Sequence, residues 1–189
     1  GMLDEETDIG GARAQPGDVV ILSGPIVDHG IAVLSARGEL GFQADVESDV
    51  APLNHLIAAL LNVSDFVHVL RDPTRRGAAT TLNEIARQSK VGIVIQEDAI
   101  PVRPAVAAAC EMLGFDPLYV ANEGKVIVIV ARMDADKVLR AMRATRYGEE
   151  ATIIGEVRAQ PPNRVLMKTR IGSTRVVDVL MGEMLPRIC

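Results

Sequence analysis

Short, continuous apolar runs rich in valine and isoleucine are the feature that most constrains the fold. The runs "DVVILSG", "KVGIVIQ" and "GKVIVIVA" begin at residues 18, 90 and 124. A strand that is apolar without alternation is typical of a position buried on both faces, in a sheet with helices packed against it. Helical patterns separate the early runs, and three strand-like segments lie close together near the end of the chain. The sequence therefore predicts one α/β (α+β) domain, a mixed β-sheet covered by helices.

Caps, glycines and prolines give approximate bounds to these elements. The predicted helices are "GPIVDHGIAVLSARG" with Pro25 in its first turn, "SDVAPLNHLIAALLN" capped by Ser48 or Asp49, "RRGAATTLNEIARQS", "PAVAAACEMLG", and "DADKVLRAMRAT" capped by Asp134. The further predicted strands are "FVHVLRD", "PLYVA" joined to "GKVIVIVA" through "NEG", and the final "ATIIGEVRAQ", "NRVLMKT" and "TRVVDVL". We expect 1–17 to be a leader, 18–179 the domain and 180–189 a flexible tail that carries the terminal cysteine.

Composition and charge exclude several classes of function. Hydrophobic residues make up 48% of the chain but aromatic residues only 3%, so the core is expected to be aliphatic. The net charge of -5 argues against nucleic-acid binding, which needs a basic face. No apolar run reaches the roughly 18 residues of a membrane helix, and the acidic start of the chain does not resemble a signal peptide. Because two cysteines make no disulfide framework, we expect a cytoplasmic protein without a membrane partner.

Two polar stretches are candidate sites. In "ANEGKV", Glu123 lies between predicted strands, where a carboxylate can act as a general base; an ordinary Asn-Glu-Gly turn with Glu123 in water explains the same residues. In "RDPTRRGAATTLNEIA", a turn leads to a helix amino terminus beside Arg75, a position suited to an anion. Gly77 would let a ligand approach the backbone closely there. A strand-to-helix connection with solvated arginines is the alternative.

The cysteines and histidines add one more candidate. The chain ends on Cys189, and Pro186 favours an extended tail before it. The terminal thiol is either a nucleophile in use or an accident of where the chain ends. Cys110, in "AAACEML", is expected to be an unreactive core residue. No metal site is predicted, because Asp28 and His29 do not share a helix face and the other histidines lack ligand-like spacing.

Several stretches together resemble the HypE family of hydrogenase maturation factors. That family belongs to a superfamily with aminoimidazole ribonucleotide synthetase, selenophosphate synthetase and thiamine monophosphate kinase. The stretches are "GDVVILSGPIVDHG", "RDPTRRGAATTLNEIA", "GFDPLYVANEGK" and the terminal "PRIC". The resemblance runs from about Gly17 to Cys189 and implies the fold of the C-terminal domain in that superfamily.

The resemblance also implies that Cys189 bears the substrate. The carbamoyltransferase HypF would carbamoylate the thiol, and ATP-dependent dehydration would then give a thiocyanate. The cyanide would pass to iron on the HypC–HypD complex and become a ligand of a [NiFe]-hydrogenase centre. Glu123 matches the carboxylate that takes a proton from the thiocarboxamide nitrogen, and Arg75 lies in a segment facing the active cleft, near phosphate. The "DHG" at 28–30 matches a stretch whose role we interpret as structural.

The resemblance further implies an N-terminal domain with most of the ATP and Mg²⁺ ligands and the homodimer interface, and we expect this sequence to correspond to the C-terminal domain only. We therefore expect no cofactor bound to this chain alone, and no dehydration by it. Val27 and Arg76 depart from the family pattern, since glycines are usual at both positions. Two other hypotheses stay open. One is an ATP-dependent synthetase or kinase-type domain of the same superfamily acting on a small molecule; the other is a docking module without catalysis.

Overall fold

The computed structural model describes residues 9–38, 46–74 and 77–179. The strands in these ranges are β1 Val19–Leu22, β2 Val67–Arg71, β3 Gly92–Gln96, β4 Ile127–Val130, β5 Thr152–Arg158, β6 Arg164–Lys168 and β7 Thr174–Val176. The α-helices are α1 Asp28–Ala36, α2 Asn54–Leu61, α3 Gly77–Ser89, α4 Pro104–Leu113 and α5 Ala135–Arg143. Short 3₁₀ turns span Glu97–Ala99, Pro117–Tyr119 and Arg132–Asp134. No helix in the described ranges has the length and apolar character needed to cross a membrane.

The seven strands form one sheet in the order β2-β4-β1-β5-β3-β6-β7. β1 pairs antiparallel with β4 and β5, whereas β3 pairs parallel with β6, so the predicted mixed sheet is confirmed. The pairs β2–β4 and β3–β5 are also antiparallel, which means that β1, β2, β3 and β6 run in the same direction. We call the edge where these four strands end the carboxyl edge; their last residues are Leu22, Arg71, Gln96 and Lys168.

Helices cover both faces of the sheet. On one face, α1, α3 and α4 pack against side chains that include Val20 and Leu22 of β1. On the other face, α2 and α5 pack against a second group that includes Val19 and Ile21. All four side chains of β1 are buried, which explains why its sequence does not alternate. Burial of each such aliphatic side chain contributes about 1.5–3 kcal/mol to stability.

Two helices begin later than the sequence predicted. α1 starts at Asp28 rather than near Pro25, because Val27 has a left-handed backbone with φ 79° and cannot belong to a right-handed helix. α2 starts at Asn54, so the prediction of Ser48 or Asp49 as its cap is wrong. Pro52 disfavours helical backbone in the residue before it, and the carboxylate of Asp49 pairs with Lys125 instead of capping a helix.

The predicted strand "PLYVA" is also wrong, because Pro117–Tyr119 forms a 3₁₀ turn. The side chain of Asp116 accepts a hydrogen bond from the backbone N–H of Leu118 at 3.0 Å, which starts that turn. Asp134 does occupy the position before α5, as predicted, but its carboxylate makes no capping bond. It accepts instead from the hydroxyl of Ser64 at 2.5 Å.

Residues 9–17 contact the domain ahead of β1. The N–H of Gly10 donates to the carbonyl of His68 at 3.0 Å. The N–H of Ala14 donates to the hydroxyl of Ser89 at 3.1 Å. The boundaries that we placed at residues 17 and 180 remain predictions, since 1–8 and 180–189 lie outside the described residues.

Candidate functional site

The loops that contain the candidate motifs meet at the carboxyl edge of the sheet. The loop at 23–27 follows β1, and the turn at 72–74 follows β2. The loop at 121–126, which contains Glu123, leads into β4, and β4 begins at this edge because it is antiparallel to β1. The ends of parallel strands are where open α/β sheets commonly bind ligands. The fold thus brings together motifs that are about 100 residues apart in the sequence.

Glu123 and Gly124 are partly exposed in a loop whose other residues, 121, 122, 125 and 126, are buried. Asn122 and Lys125 are 2% and 8% exposed. In the described ranges, no side chain forms an ion pair or hydrogen bond with the carboxylate of Glu123. Lys125, the nearest cation in sequence, is paired with Asp49. A carboxylate held on a rigid loop and left unpaired can accept a proton from a substrate.

Asn122 connects the loop to both other motifs. Its Oδ1 accepts a hydrogen bond from the N–H of Val27 at 2.5 Å. Its own backbone N–H donates to the carbonyl of Pro73 at 3.2 Å. Its Nδ2 donates to the carbonyl of Val120 at 2.9 Å, which closes the loop on itself. Asn122, which directly precedes Glu123, therefore connects the three motifs by hydrogen bonds.

Gly124 and Lys125 hold the other side of Glu123. Gly124 has a left-handed φ of 63°, and a methyl group at this position would lie 2.7 Å from the N–H nitrogen of Ala51. Only glycine fits such a contact without a shift of the backbone. The ammonium group of Lys125 forms an ion pair with Asp49 on the same neighbouring segment. The segment at 49–51 thereby anchors the loop on the side away from Asn122.

Gly77 allows a close approach of another part of the chain. Its φ is 70°, and a methyl group there would lie 2.7 Å from the carbonyl oxygen of Val120. The close neighbour among the described residues is thus the chain at 118–120, which leads into the Glu123 loop, and the approach of a ligand to this glycine stays a prediction. Arg75 lies outside the described residues, and so does Cys189.

Asp28, whose carboxylate is buried, forms an ion pair beside this loop with the half-exposed side chain of Arg103. Its carboxylate is 5% exposed and accepts a hydrogen bond from Nε of Arg103 at 2.7 Å. Arg103 also contacts the exposed Glu150 at 2.8 Å. Burial raises the pKa of Asp28, and the hydrogen bond from Arg103 offsets part of that effect. The sequence pointed to a structural role for Asp28 but did not indicate Arg103, which lies 75 residues away.

His29 and Cys110 have local structural roles. Nδ1 of His29 lies 2.9 Å from the hydroxyl of Ser48. No three metal-ligating side chains cluster in the described part of the chain. Cys110 is 2% exposed, and burial, with the nearby charge of Asp116, raises the pKa of its thiol to about 11. A thiol with so high a pKa is unreactive at neutral pH, as expected for a core cysteine.

The family model and the curated relatives that match this chain belong to one family. The model of the AIR synthase related protein, C-terminal domain, matches residues 15–168. Carbamoyl dehydratase HypE of Cupriavidus necator is 56% identical over 181 residues, which cover 96% of this chain and 52% of that protein. The chain spans about half the length of the curated relatives it matches.

Solved structures agree in fold as well as sequence. A crystal structure of a HypE–HypF complex aligns with a TM-score of 0.89 and 48% identity, covering 94% of this chain and 58% of the solved one. A crystal structure of HypE in complex with ATP aligns with a TM-score of 0.89 and 47% identity, covering 96% and 55%. Over the length that they share, the strands, helices and motif loops described above are those of these proteins, and the chain belongs to the HypE family as its C-terminal, AIR synthase-related domain.

Proposed function

We propose that this chain is the C-terminal part of an ATP-dependent carbamoyl dehydratase that carries its own substrate on Cys189. The observation that carries the proposal is the position of Glu123 at the carboxyl edge, where its loop is anchored on both sides and no side chain in the described ranges pairs with its carboxylate. The names of the relatives, carbamoyl dehydratase HypE, support the reaction type. The thiocyanate formed would supply the cyanide ligand of a hydrogenase iron centre.

The reaction converts a thiocarboxamide on the cysteine sulfur to a thiocyanate. The carbon loses its oxygen, the nitrogen loses both protons, and the carbon–sulfur bond stays intact. ATP, when bound, supplies the phosphoryl group that carries the oxygen away. The products of dehydration are then the thiocyanate, ADP and phosphate. The carboxylate of Glu123 accepts one proton from the nitrogen, and the other proton leaves with the phosphate that carries the oxygen away. A positioned base of this kind contributes roughly 10²–10⁴-fold to a rate.

The tail has enough length to bring Cys189 to Glu123. Val177 is the last fully buried residue before the tail, and its backbone bonds to Val165 of β6 at 2.8 Å. The twelve residues from there to Cys189 would span at most about 40 Å. Between β6 and β4 the sheet measures four strand spacings, about 20 Å. The distance along the strands adds less than about 20 Å, so an extended tail reaches the loop.

The ATP site is proposed to lie mostly in the part of the relatives that this chain does not cover. A HypE crystallised with ATP supports nucleotide binding in the family. Arg75 is our candidate for a phosphate neighbour, and Mg²⁺ is proposed to accompany the nucleotide.

Three partners follow from this function. HypF is the proposed donor of the carbamoyl group, and the crystallised HypE–HypF complex supports that assignment. The HypC–HypD complex is the proposed acceptor of the cyanide. A homodimer of the full-length protein is the proposed assembly.

The test is intact mass spectrometry after incubation with the carbamoyltransferase, carbamoyl phosphate and ATP. We expect this chain to gain one carbamoyl group and the Cys189→Ala variant to gain none. The full-length protein should then lose one water in the presence of ATP, whereas this chain alone should not. A carbamoyl group on Cys189→Ala, or turnover of a small molecule by that variant, would contradict the carrier role and favour a synthetase or kinase-type activity.

The second variant is Glu123→Gln in the full-length protein. The amide keeps the size and shape of the side chain but cannot accept the proton. We expect carbamoylation of Cys189 to proceed as in the unmodified protein, while the loss of water slows by about 10²–10⁴-fold. Unchanged dehydration would remove Glu123 from the proposed mechanism and leave the carrier role of Cys189 untouched.

A further inference from the structure

We propose that Asn122 is a positioning residue that holds the carboxylate of Glu123 in place for dehydration. This inference rests on the proposed role of Glu123 as the base. Asn122 precedes Glu123 directly in the chain and is 2% exposed. Any change in the backbone at Asn122 is therefore transmitted to the position of the reacting carboxylate.

The side chain of Asn122 uses both of its polar atoms. Oδ1 accepts from the N–H of Val27 at 2.5 Å, and Nδ2 donates to the carbonyl of Val120 at 2.9 Å. These two hydrogen bonds together fix the orientation of the side-chain amide of Asn122. Val27 lies 95 residues away in the chain and is not part of the turn at Asn122. Its contact with Asn122 is therefore not explained by the turn alone.

The conformation of Val27 matches this contact. Its backbone is left-handed, with φ 79°, a conformation that is unfavourable for a β-branched residue. The N–H of Val27 lies just before α1 and is satisfied by Asn122 and not by a helical carbonyl. The fold therefore maintains an unfavourable backbone at the residue that binds Asn122.

The backbone of Asn122 adds a third connection. Its N–H donates to the carbonyl of Pro73 in the turn after β2, at 3.2 Å. The residue thus joins the loop after β1, the turn after β2 and the loop before β4. Pro73 lies two residues before Arg75, the proposed phosphate neighbour, so Asn122 connects the base to the segment proposed to face the nucleotide.

The experiment is a double-variant cycle in the full-length protein, with Cys189 carbamoylated beforehand. The variants are Asn122→Ala, Glu123→Gln and the pair, and the measured quantity is the single-turnover rate of water loss with ATP. Asn122→Ala should slow dehydration by about 10–100-fold, the effect of misplacing a reacting group by about 1 Å. Carbamoylation and the KM for ATP should stay unchanged.

Non-additivity is the diagnostic result. In the Glu123→Gln background the base is already lost, so adding Asn122→Ala should slow the reaction by no more than about threefold further. If Asn122→Ala instead slows both backgrounds by the same factor, Asn122 does not act through Glu123 and the inference is wrong. If Glu123→Gln alone is as fast as the unmodified protein, both the inference and the proposed base are wrong.

Two further variants separate positioning from folding. Asn122→Asp keeps the size of the side chain and the acceptor for Val27, and loses the donor to Val120; it should fold, slow dehydration and show the same non-additivity. Ser64→Ala removes a buried side chain with two hydrogen bonds at the opposite edge of the sheet, to Asp134 and from the N–H of Phe66. It should lower stability and leave the rate of water loss unchanged. If Ser64→Ala also slowed the loss of water, lowered stability would explain the effect of Asn122→Ala and the inference would be overturned.

Discussion

Val27 combines a left-handed backbone with a fully buried side chain. Its φ is 79° and its side chain is 0% exposed. Glycine, which is usual here in the family that the sequence resembles, would adopt this backbone without strain but would leave its part of the core empty. Valine fills the core at the cost of an unfavourable backbone. The two effects oppose each other within a single residue.

A pair of substitutions at Val27 isolates the backbone effect. Val27→Ala and Val27→Gly both remove the buried methyl groups, so the cavity terms are similar. Because glycine tolerates a left-handed φ, Val27→Gly should be more stable than Val27→Ala by about 1 kcal/mol. Urea denaturation measures the difference. The matched pair is Ile31→Ala and Ile31→Gly in α1, where alanine should be the more stable by about 1 kcal/mol. If the alanine variant were more stable than the glycine variant at position 27 as well as at position 31, a left-handed backbone at Val27 would be excluded.

The two cysteines should differ widely in reactivity. The pKa of the Cys110 thiol is raised to about 11 by burial, so only about one molecule in 10⁴ carries a thiolate at neutral pH. A thiol exposed to water ordinarily has a pKa of about 8.5, and our proposal requires Cys189 to be accessible. We expect one thiol of the native chain to react with a maleimide at least about 100-fold faster than the other. In Cys189→Ala the fast phase should be absent, and its persistence would mean that Cys110 is accessible.

At the scale of elements, the sequence predicts most strands and helices but not how they begin. The apolar runs of β1, β3 and β4 are buried on both faces, and they are the segments that the sequence predicts best. Some of the differences lie where a polar side chain has a partner distant in the chain. Asp49 pairs with Lys125 rather than capping α2. Asp134 does precede α5 as predicted, but its carboxylate binds Ser64 and the side chain of Lys137 rather than a backbone N–H of the first turn. No local pattern distinguishes a capping carboxylate from one with a distant partner.

The contact between Ser64 and Asp134 ties the loop before β2 to the start of α5. The hydroxyl of Ser64 and the ammonium group of Lys137 lower the pKa of Asp134 below its ordinary value of 3.8. A lowered pKa stabilises the folded state above pH 3.8, and this contribution is lost as the pH falls through the lower, folded value. Ser64→Ala should therefore be less stable than the unmodified chain at neutral pH.

The deficit of Ser64→Ala should also shrink on acidification. Once Asp134 is protonated in both proteins, the charge-assisted part of the bond is absent from both. Chemical denaturation at neutral pH and below the ordinary pKa of Asp134 measures the two differences. A deficit that is constant with pH would mean that Ser64 does not bind the ionised carboxylate.

At the scale of the whole molecule, the sequence indicates the proposed base but not its surroundings. The family resemblance points to Glu123 in the "NEG" stretch, whereas the residue that we propose to position it, Asn122, lies one residue earlier in the same stretch. What distinguishes Asn122 is its contact with Val27 and Pro73, and those contacts exist only when β1, β2 and β4 end or begin at one edge. The topology of the sheet, which single-sequence patterns do not specify, therefore assembles the site.

The sheet should also make the molecule unfold as one unit. Its two aliphatic cores, one under α1, α3 and α4 and the other under α2 and α5, share the same central strands. Leu82→Ala in the first core and Leu60→Ala in the second should each lower the free energy of unfolding by about 2–5 kcal/mol, because both side chains are fully buried. In urea, far-ultraviolet circular dichroism and hydrogen exchange of the central strands should follow one transition for each variant. Two unfolding transitions in urea, of which Leu60→Ala moved only the first to a lower urea concentration, would contradict this. The α2–α5 face would then unfold as a separate unit, and the shared strands would not couple the cores.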